Sequence, residues 1–115
     1  MSKWITYKGK KILYSDYRGM NTDQMIAQLR EEANMIMNEP GKILNLSNFE
    51  GTVIAPEFMK VANELGKTTE KKVEKSAVVG VTGIKAVLLN SYNMITGGNL
   101  RAFKDEESAK EYLVS

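Results

Sequence analysis

Residues 76–103 read SAVVGVTGIKAVLLNSYNMITGGNLRAF, and this stretch decides the fold. Its first residues are a short β-branched run, which is typical of a strand covered on both faces. Gly80 and Gly83 then mark a sharp turn. Gly97-Gly98 ends the helix that follows, and Leu100–Phe103 begins another strand. Helical spacing predicts that four apolar residues of this helix face the core: Ile84, Val87, Leu88 and Ile95.

The rest of the chain alternates strands and helices around this unit. Two β-prone runs flank Lys8-Gly9-Lys10 and predict a hairpin. Asp105 is a good N-cap for a short terminal helix. The predicted order is strand, strand, helix, strand, helix, strand, helix, strand, helix. It favours an α/β fold with a mostly parallel sheet, an antiparallel N-terminal edge hairpin and about four helices. We expect residues 1–115 to form one domain.

The first two long helices carry boundary signals. Asn21 and Gln24 have the spacing of a capping box, and Pro56 suits the first position of the second helix. We expect Gly66 to end that helix and residues 67–75 to form a solvated, mostly basic connector. In the first helix, the core face is predicted to hold Met25, Ile26, Leu29, Ala33, Ile36 and Met37. The exposed face is predicted to hold Arg30, Glu31, Glu32 and Asn34, and Met35 falls off the apolar stripe.

Composition argues against several classes of function. The chain has no Cys and no His, so a disulfide, a thiolate zinc site, a Cys nucleophile and a His base are all excluded. Its 16 basic and 14 acidic residues give a net charge of +2, which exerts no strong attraction on nucleic acid. No apolar run reaches the roughly 18 residues of a membrane span, and the N-terminus lacks a secretory pattern. We therefore expect a cytoplasmic protein with no cofactor and no metal.

Three segments together resemble the SpoIIAA-like group of STAS-fold proteins. Lys10–Gly19 is similar to the opening strand of that group, and Ser76–Lys85 is similar to its third-strand signature. Arg101–Leu113 is similar to its final strand and helix. The resemblance implies a single STAS-like domain over nearly the whole chain, acting as a bacterial protein-binding module. The same fold is related to lipid-carrying Sec14-type domains.

Anti-sigma-factor antagonists of this type are switched by phosphorylation of a serine at the start of the second helix. In this chain Leu44–Asn48 matches the preceding strand, but Val53–Glu57 contains no serine. Thr52 is the nearest hydroxyl and lies too early. The resemblance therefore implies an interaction module without the usual phosphorylatable serine.

Two loops are candidate binding surfaces. In the turn at Gly80, Thr82 and Gly83, backbone N–H groups and the threonine hydroxyl could hold a phosphate or carboxylate. The alternative is an ordinary tight turn with Thr82 as the helix N-cap. The loop that opens the second helix offers an apolar lip beside a positive helix end, formed by Thr52, Ile54, Ala55, Pro56, Glu57 and Phe58. Alternatively, Phe58 simply packs inward and Ile54 closes the core.

Two strand-end carboxylates, Asp16 and Glu50, are a third candidate site. If they met, they could serve acid–base chemistry or hold a hard cation. Solvated side chains are the ordinary alternative for acids at strand ends. An enzyme would require Asp16, Glu50 or Glu57 to converge in a cleft with a raised pKa.

We expect a non-catalytic interaction or regulatory module whose partner is another protein or a second copy of the chain. Its docking surface would combine the start of the second helix with the Thr82 turn. The alternative is a carrier or sensor of a small apolar or anionic ligand, lipid-like or nucleotide-like, bound at the N-termini of the second and third helices. A closed pocket lined by Ile54, Phe58 and Thr82 would favour the carrier, and a flat apolar patch would favour the module.

Overall fold

A computed structural model describes residues 1–115. Five strands alternate with four α-helices, and one 3-10 turn precedes the fourth strand. In chain order the elements are β1 (Ser2–Tyr7), β2 (Lys10–Asp16), α1 (Thr22–Asn38), β3 (Ile43–Asn48), α2 (Pro56–Thr69), the 3-10 turn (Glu70–Lys72), β4 (Val73–Val79), α3 (Ile84–Thr96), β5 (Leu100–Phe103) and α4 (Glu106–Val114). The predicted order of elements is therefore confirmed.

The sheet keeps its strands in sequence order, β1-β2-β3-β4-β5. β1 pairs with β2 in the antiparallel sense, and the three other pairings are parallel. This confirms the predicted α/β class and its N-terminal edge hairpin. Successive crossovers of one hand place α1, α2 and α3 on the same face, while α4 covers the other face against β3 and β4.

The two faces of the sheet carry different side chains because alternate residues of a strand point in opposite directions. Under α4, the centre of the sheet is a dry apolar core made by Ile12, Leu44, Leu46, Ala77, Val79, Ala109 and Leu113. On the face of the three other helices, the centre holds small or polar residues instead: Asn45, Ser47 and Ser76. The centre of this face therefore lacks large side chains, whereas Leu13 and Ile43 beside it pack against Ile36 of α1.

Local boundary signals behave as the sequence predicts. The Asn21 side chain accepts from the Gln24 backbone, and the Gln24 side chain accepts in return from the Asn21 N–H, each at 2.9 Å. Pro56 starts α2. Gly97 has a positive φ of 74° and closes α3, as its lack of a Cβ allows.

Four predictions about α1 and α2 are wrong. Glu32, predicted on the exposed face of α1, is only 5% exposed, and Met37, predicted on the core face, is exposed. Met35, which falls off the apolar stripe, is half-buried. Gly66 does not end α2, which continues to Thr69. Residues 67–75 are consequently not a solvated connector: they form the last turn of α2, the 3-10 turn and the start of β4.

The orientation of α3 also differs from the prediction. Ile84, Val87 and Ile95 point outward, with Ile84 75% exposed. The inward face holds Leu88, as predicted, together with Lys85, Leu89 and Tyr92. Thr82 is not its N-cap, because that position is Gly83 and no side chain caps it. Apolar residues on both sides of α3 leave its periodicity ambiguous, so long-range contacts decide which side is buried.

Candidate functional site

A cavity lies between the sheet and the layer formed by α1, α2 and α3. Its volume is about 100 Å³. The floor is the polar centre of the sheet face, and the roof is the inward face of α3. Most of its lining is apolar, including Leu29, Ile54, Phe58, Leu65, Leu88 and Leu89. The cavity exists because small side chains occupy the floor where a packed core would carry large ones.

Three aromatic rings form one wall of this cavity. Tyr17 stacks on Phe49 with ring centroids 4.5 Å apart and an interplanar angle of 11°. Phe58 meets both rings edge-on, at 6.0 Å from Tyr17 and 5.9 Å from Phe49. Such offset and edge contacts are favourable beyond simple area burial, so this wall is a rigid part of the site.

Two tyrosine–glutamate pairs bring polar groups into the same cavity. The Tyr17 hydroxyl donates to Glu32 Oε1 at 2.6 Å, and the Tyr92 hydroxyl donates to Glu70 Oε2 at 2.6 Å. Glu32 comes from α1 and Glu70 from the 3-10 turn after α2. All four side chains line the cavity.

The cavity contains two carboxyl groups that have no cationic partner. Burial raises the pKa of Glu32, although hydrogen bonds from Tyr17, Ser15 and Asn45 oppose the shift. Burial likewise raises the pKa of Glu70, against the hydrogen bond from Tyr92. Neither carboxylate takes part in any of the three ion pairs of the chain. Two acids therefore share a low-dielectric site without a cationic partner.

The lysine that lines the cavity is already engaged elsewhere. Lys85 Nζ donates to the carbonyl oxygens of Phe49 and Gly80, at 3.1 and 3.3 Å. These carbonyls follow β3 and β4, so Lys85 ties the start of α3 to the ends of two strands. Its ammonium is thus held by backbone acceptors rather than by Glu32 or Glu70.

A close approach of α2 and α3 closes the cavity on one side. A Cβ on Gly66 would lie 2.5 Å from the Tyr92 hydroxyl and 2.7 Å from Thr96 Cγ2. Gly66 therefore lets Tyr92 cross α2 and reach Glu70. This contact explains why glycine stands within the helix despite its low helix propensity.

The sequence-predicted site residues divide into two groups. Ile54 and Phe58 line the cavity, whereas Thr82 and Gly83 are exposed and do not. Gly80 packs against the backbone of Glu50. Thr52 is buried, and its hydroxyl donates to the Phe49 carbonyl at 2.6 Å. The remaining members lie at the start of α2 outside the cavity lining: Ala55, Pro56 and Glu57.

The strand-end carboxylates are not part of the cavity. Asp16 is paired with Arg18 at 2.9 Å. Hydrogen bonds from the Arg18 guanidinium lower the pKa of the Asp16 carboxyl. Glu50 is exposed. Among acids, the cavity therefore contains Glu32 and Glu70, and not the candidates Asp16, Glu50 and Glu57.

Sequence reasoning missed Glu32, although a signal for it was present. Met25, Leu29, Glu32 and Ile36 fall at positions i, i+4, i+7 and i+11, so Glu32 lies within the apolar stripe of α1. An acid in such a stripe needs a buried partner, and Tyr17 provides it. Glu70 had no comparable signal, because its surroundings in sequence are basic and polar.

The buried carboxylate predicts a pH-dependent stability. The pKa of Glu32 is raised above its ordinary value of 4.5, so the folded state binds this proton more tightly than the unfolded chain does. The wild type therefore has its full unfolding free energy at acidic pH and loses part of it as the pH rises through the raised pKa of Glu32. Relative to wild type, Glu32→Gln should therefore gain unfolding free energy as the pH rises from about 4 to about 8.

Urea unfolding at several pH values measures this difference. Glu64→Gln, which removes an exposed carboxylate from α2, is the matched control and should change the unfolding free energy little at either pH. A difference in unfolding free energy between wild type and Glu32→Gln that stays constant with pH would contradict the burial of Glu32 and its raised pKa.

The outer face of α3 is apolar as well. Its exposed residues Ile84, Val87, Met94 and Ile95 form the outer stripe, and Val53 is also exposed, at 77%. None of these side chains is charged. α3 is thus apolar on both faces. Its inner face lines the cavity, and no other element covers its outer face.

Comparisons with models of known families, with curated proteins and with solved structures found no match. No group of three or more acidic, His or Cys side chains is arranged to hold a metal ion. None of the helices combines the length and hydropathy that crossing a bilayer requires. The function is therefore inferred from the geometry of the cavity and its surroundings.

Proposed function

We propose that this protein is a non-catalytic carrier or sensor of a small, mostly apolar ligand, which it binds in the cavity beneath α3. The observation that carries the proposal is the cavity itself, with a rigid aromatic wall and a floor of small polar residues. Ligand sites are typically concave and apolar with a few convergent polar groups. The sequence leaves open an interaction module and a ligand carrier, and we favour the carrier.

The size of the cavity limits the ligand. An apolar cavity of roughly 150 Å³ holds one benzene molecule, and the cavity here is about 100 Å³. The enclosed volume is the smaller of the two, so a compact ring or a short branched chain fits with one edge in the open mouth of the pocket. The enclosed space therefore suits the apolar part of a ligand rather than a whole nucleotide or a whole lipid. The ligand site that we propose lies beneath α3, and not at the N-termini of the second and third helices, where the sequence analysis puts it.

Benzene is a suitable neutral probe, since its ring current shifts the NMR signals of nearby methyl groups. In a titration of the isotope-labelled protein, we expect saturable shifts at Ile54, Leu88 and Leu89, and little change at Ile84 and Val87 on the outer stripe. Shifts confined to the outer stripe, or the absence of saturable shifts, would contradict the proposal.

Filling the cavity should abolish this binding. Ala62 and Ala33 are buried and line the cavity from α2 and α1. Ala62→Leu should remove the saturable shifts by occupying the ligand's space, and Ala33→Leu is a second filling variant in case the first is poorly folded. Ala102→Leu, an equal enlargement on the exposed surface of β5, should leave benzene binding unchanged.

A second candidate, an interaction module whose partner is a second copy of the chain, is favoured by the outer stripe. Because its side chains are uncharged, two copies can pair their α3 helices about a two-fold axis without like-charge repulsion. Sedimentation equilibrium would then show a dimer that Val87→Glu converts to a monomer. A monomeric wild type at high concentration would exclude this candidate. Kinship with the SpoIIAA-like group and a cytoplasmic location both stay predictions.

A further inference from the structure

The polar groups of the cavity suggest which chemical class of ligand it takes, an inference that rests on the proposed function. Ser47 and Ser76 are 5% and 4% exposed and line the cavity floor. Neither side-chain hydroxyl makes a hydrogen bond within the chain. Their oxygens are open to the cavity rather than enclosed by the protein, so both hydroxyls are free to bond to a ligand.

Apart from the two serine hydroxyls, the side-chain donors of the lining are already engaged while its carboxylates keep acceptor capacity. The hydroxyls of Tyr17 and Tyr92 already donate to Glu32 and Glu70, and the Lys85 ammonium already donates to two backbone carbonyls. What remains for a ligand is the rest of the acceptor capacity of two carboxylates, together with two serine hydroxyls, each of which can donate or accept. An anionic or acceptor-only head group would meet these carboxylates without compensation.

We propose that the ligand is a small organic amine, whose protonated nitrogen binds between Glu32 and Glu70 while its compact hydrocarbon part contacts the aromatic wall. An ammonium group provides three donors, which suit the carboxylates and the serine hydroxyls. Hydrogen bonds between ionised partners are about twice as strong as neutral ones. The anionic ligand considered from the sequence is accordingly not the class that this cavity favours.

The affinity for an amine should depend on pH. Burial raises the pKa of both Glu32 and Glu70, and a bound cation favours their ionised forms. The other titratable groups around them are Tyr17, Tyr92 and Lys85. Binding should therefore tighten as the pH rises through the two raised pKa values and should be accompanied by proton release.

A matched pair of probes tests the inference. Cyclopentylamine is protonated at neutral pH, whereas cyclopentanol has nearly the same shape and no charge. By NMR titration at pH 7.5, we expect the amine to bind the wild type about tenfold more tightly than the alcohol, or better. In Glu32→Gln and in Glu70→Gln, the preference should fall to about threefold or less, with a well-dispersed NMR spectrum as the sign that each variant is folded.

Each outcome of these titrations decides between the two proposals. If benzene binds but the amine binds no better than the alcohol, the amine inference is wrong and the proposed function stands. If the preference for the amine persists in both glutamine variants, the cation is recognised elsewhere and the inference is again wrong. If none of the three probes binds in the cavity, the proposed function fails, and the amine inference fails with it.

Discussion

Gly80→Ala should destabilise the protein by about 3 kcal/mol or more. Gly80 has a φ of +80°, and a Cβ there would lie 2.4 Å from both the Cα and the N of Glu50. Because these are backbone atoms, the clash cannot be relieved by rotating a side chain. The substitution must therefore separate the loop after β3 from the loop after β4, where Lys85 ties α3 to both.

Gly19→Ala is the matched control, since Gly19 has nearly the same φ of +78° but no atom within 4 Å of the added Cβ. The control should lose only about 1 kcal/mol of unfolding free energy, because alanine is strained at this φ. Urea unfolding measures both variants against wild type. Equal losses in the two variants would show that the contact between Gly80 and Glu50 contributes nothing.

Phe58→Ala should cost about 3–5 kcal/mol of unfolding free energy. Phe58 is 4% exposed and contacts the rings of Tyr17 and Phe49 in the cavity wall. Its removal takes away both the buried ring and two edge-to-face contacts. It also enlarges the cavity towards the start of α2, so the variant should accept a two-ring compound such as naphthalene.

Phe103→Ala makes the same substitution on the opposite side of the sheet, where Phe103 is half-buried against Tyr112. It should cost clearly less, about 1–2 kcal/mol, and should leave ligand size selectivity unchanged. Chemical denaturation followed by naphthalene titration separates the two effects. The cavity wall would be assigned wrongly if Phe103→Ala were the more destabilising variant.

The sequence was sufficient to predict the features of the fold that depend on local signals. The capping box of Asn21 and Gln24, the helix start at Pro56 and the αL glycine at Gly97 are all decided by neighbouring residues. The alternation of strands and helices then leaves few topologies for a mostly parallel sheet. For these reasons the element order and the fold class are confirmed.

The cavity depends on contacts that no local pattern contains. Glu32 is buried because Tyr17, fifteen residues away, supplies its partner. Gly66 resembles a helix end in sequence, yet it lies within α2 because Tyr92 needs the space. The inward face of α3 is set partly by Lys85 reaching the carbonyls of Phe49 and Gly80. Periodicity alone could not distinguish the two apolar faces of this helix.

A crystal structure of the protein with cyclopentylamine tests the central claim most directly. We predict one molecule in the cavity beneath α3, with its nitrogen about 3 Å from a carboxylate oxygen of Glu32 or Glu70 and its ring near Tyr17 and Phe58. An amine bound only on the outer stripe, or a cavity that stays empty in crystals where Glu32 and Glu70 are accessible to the amine, would contradict it.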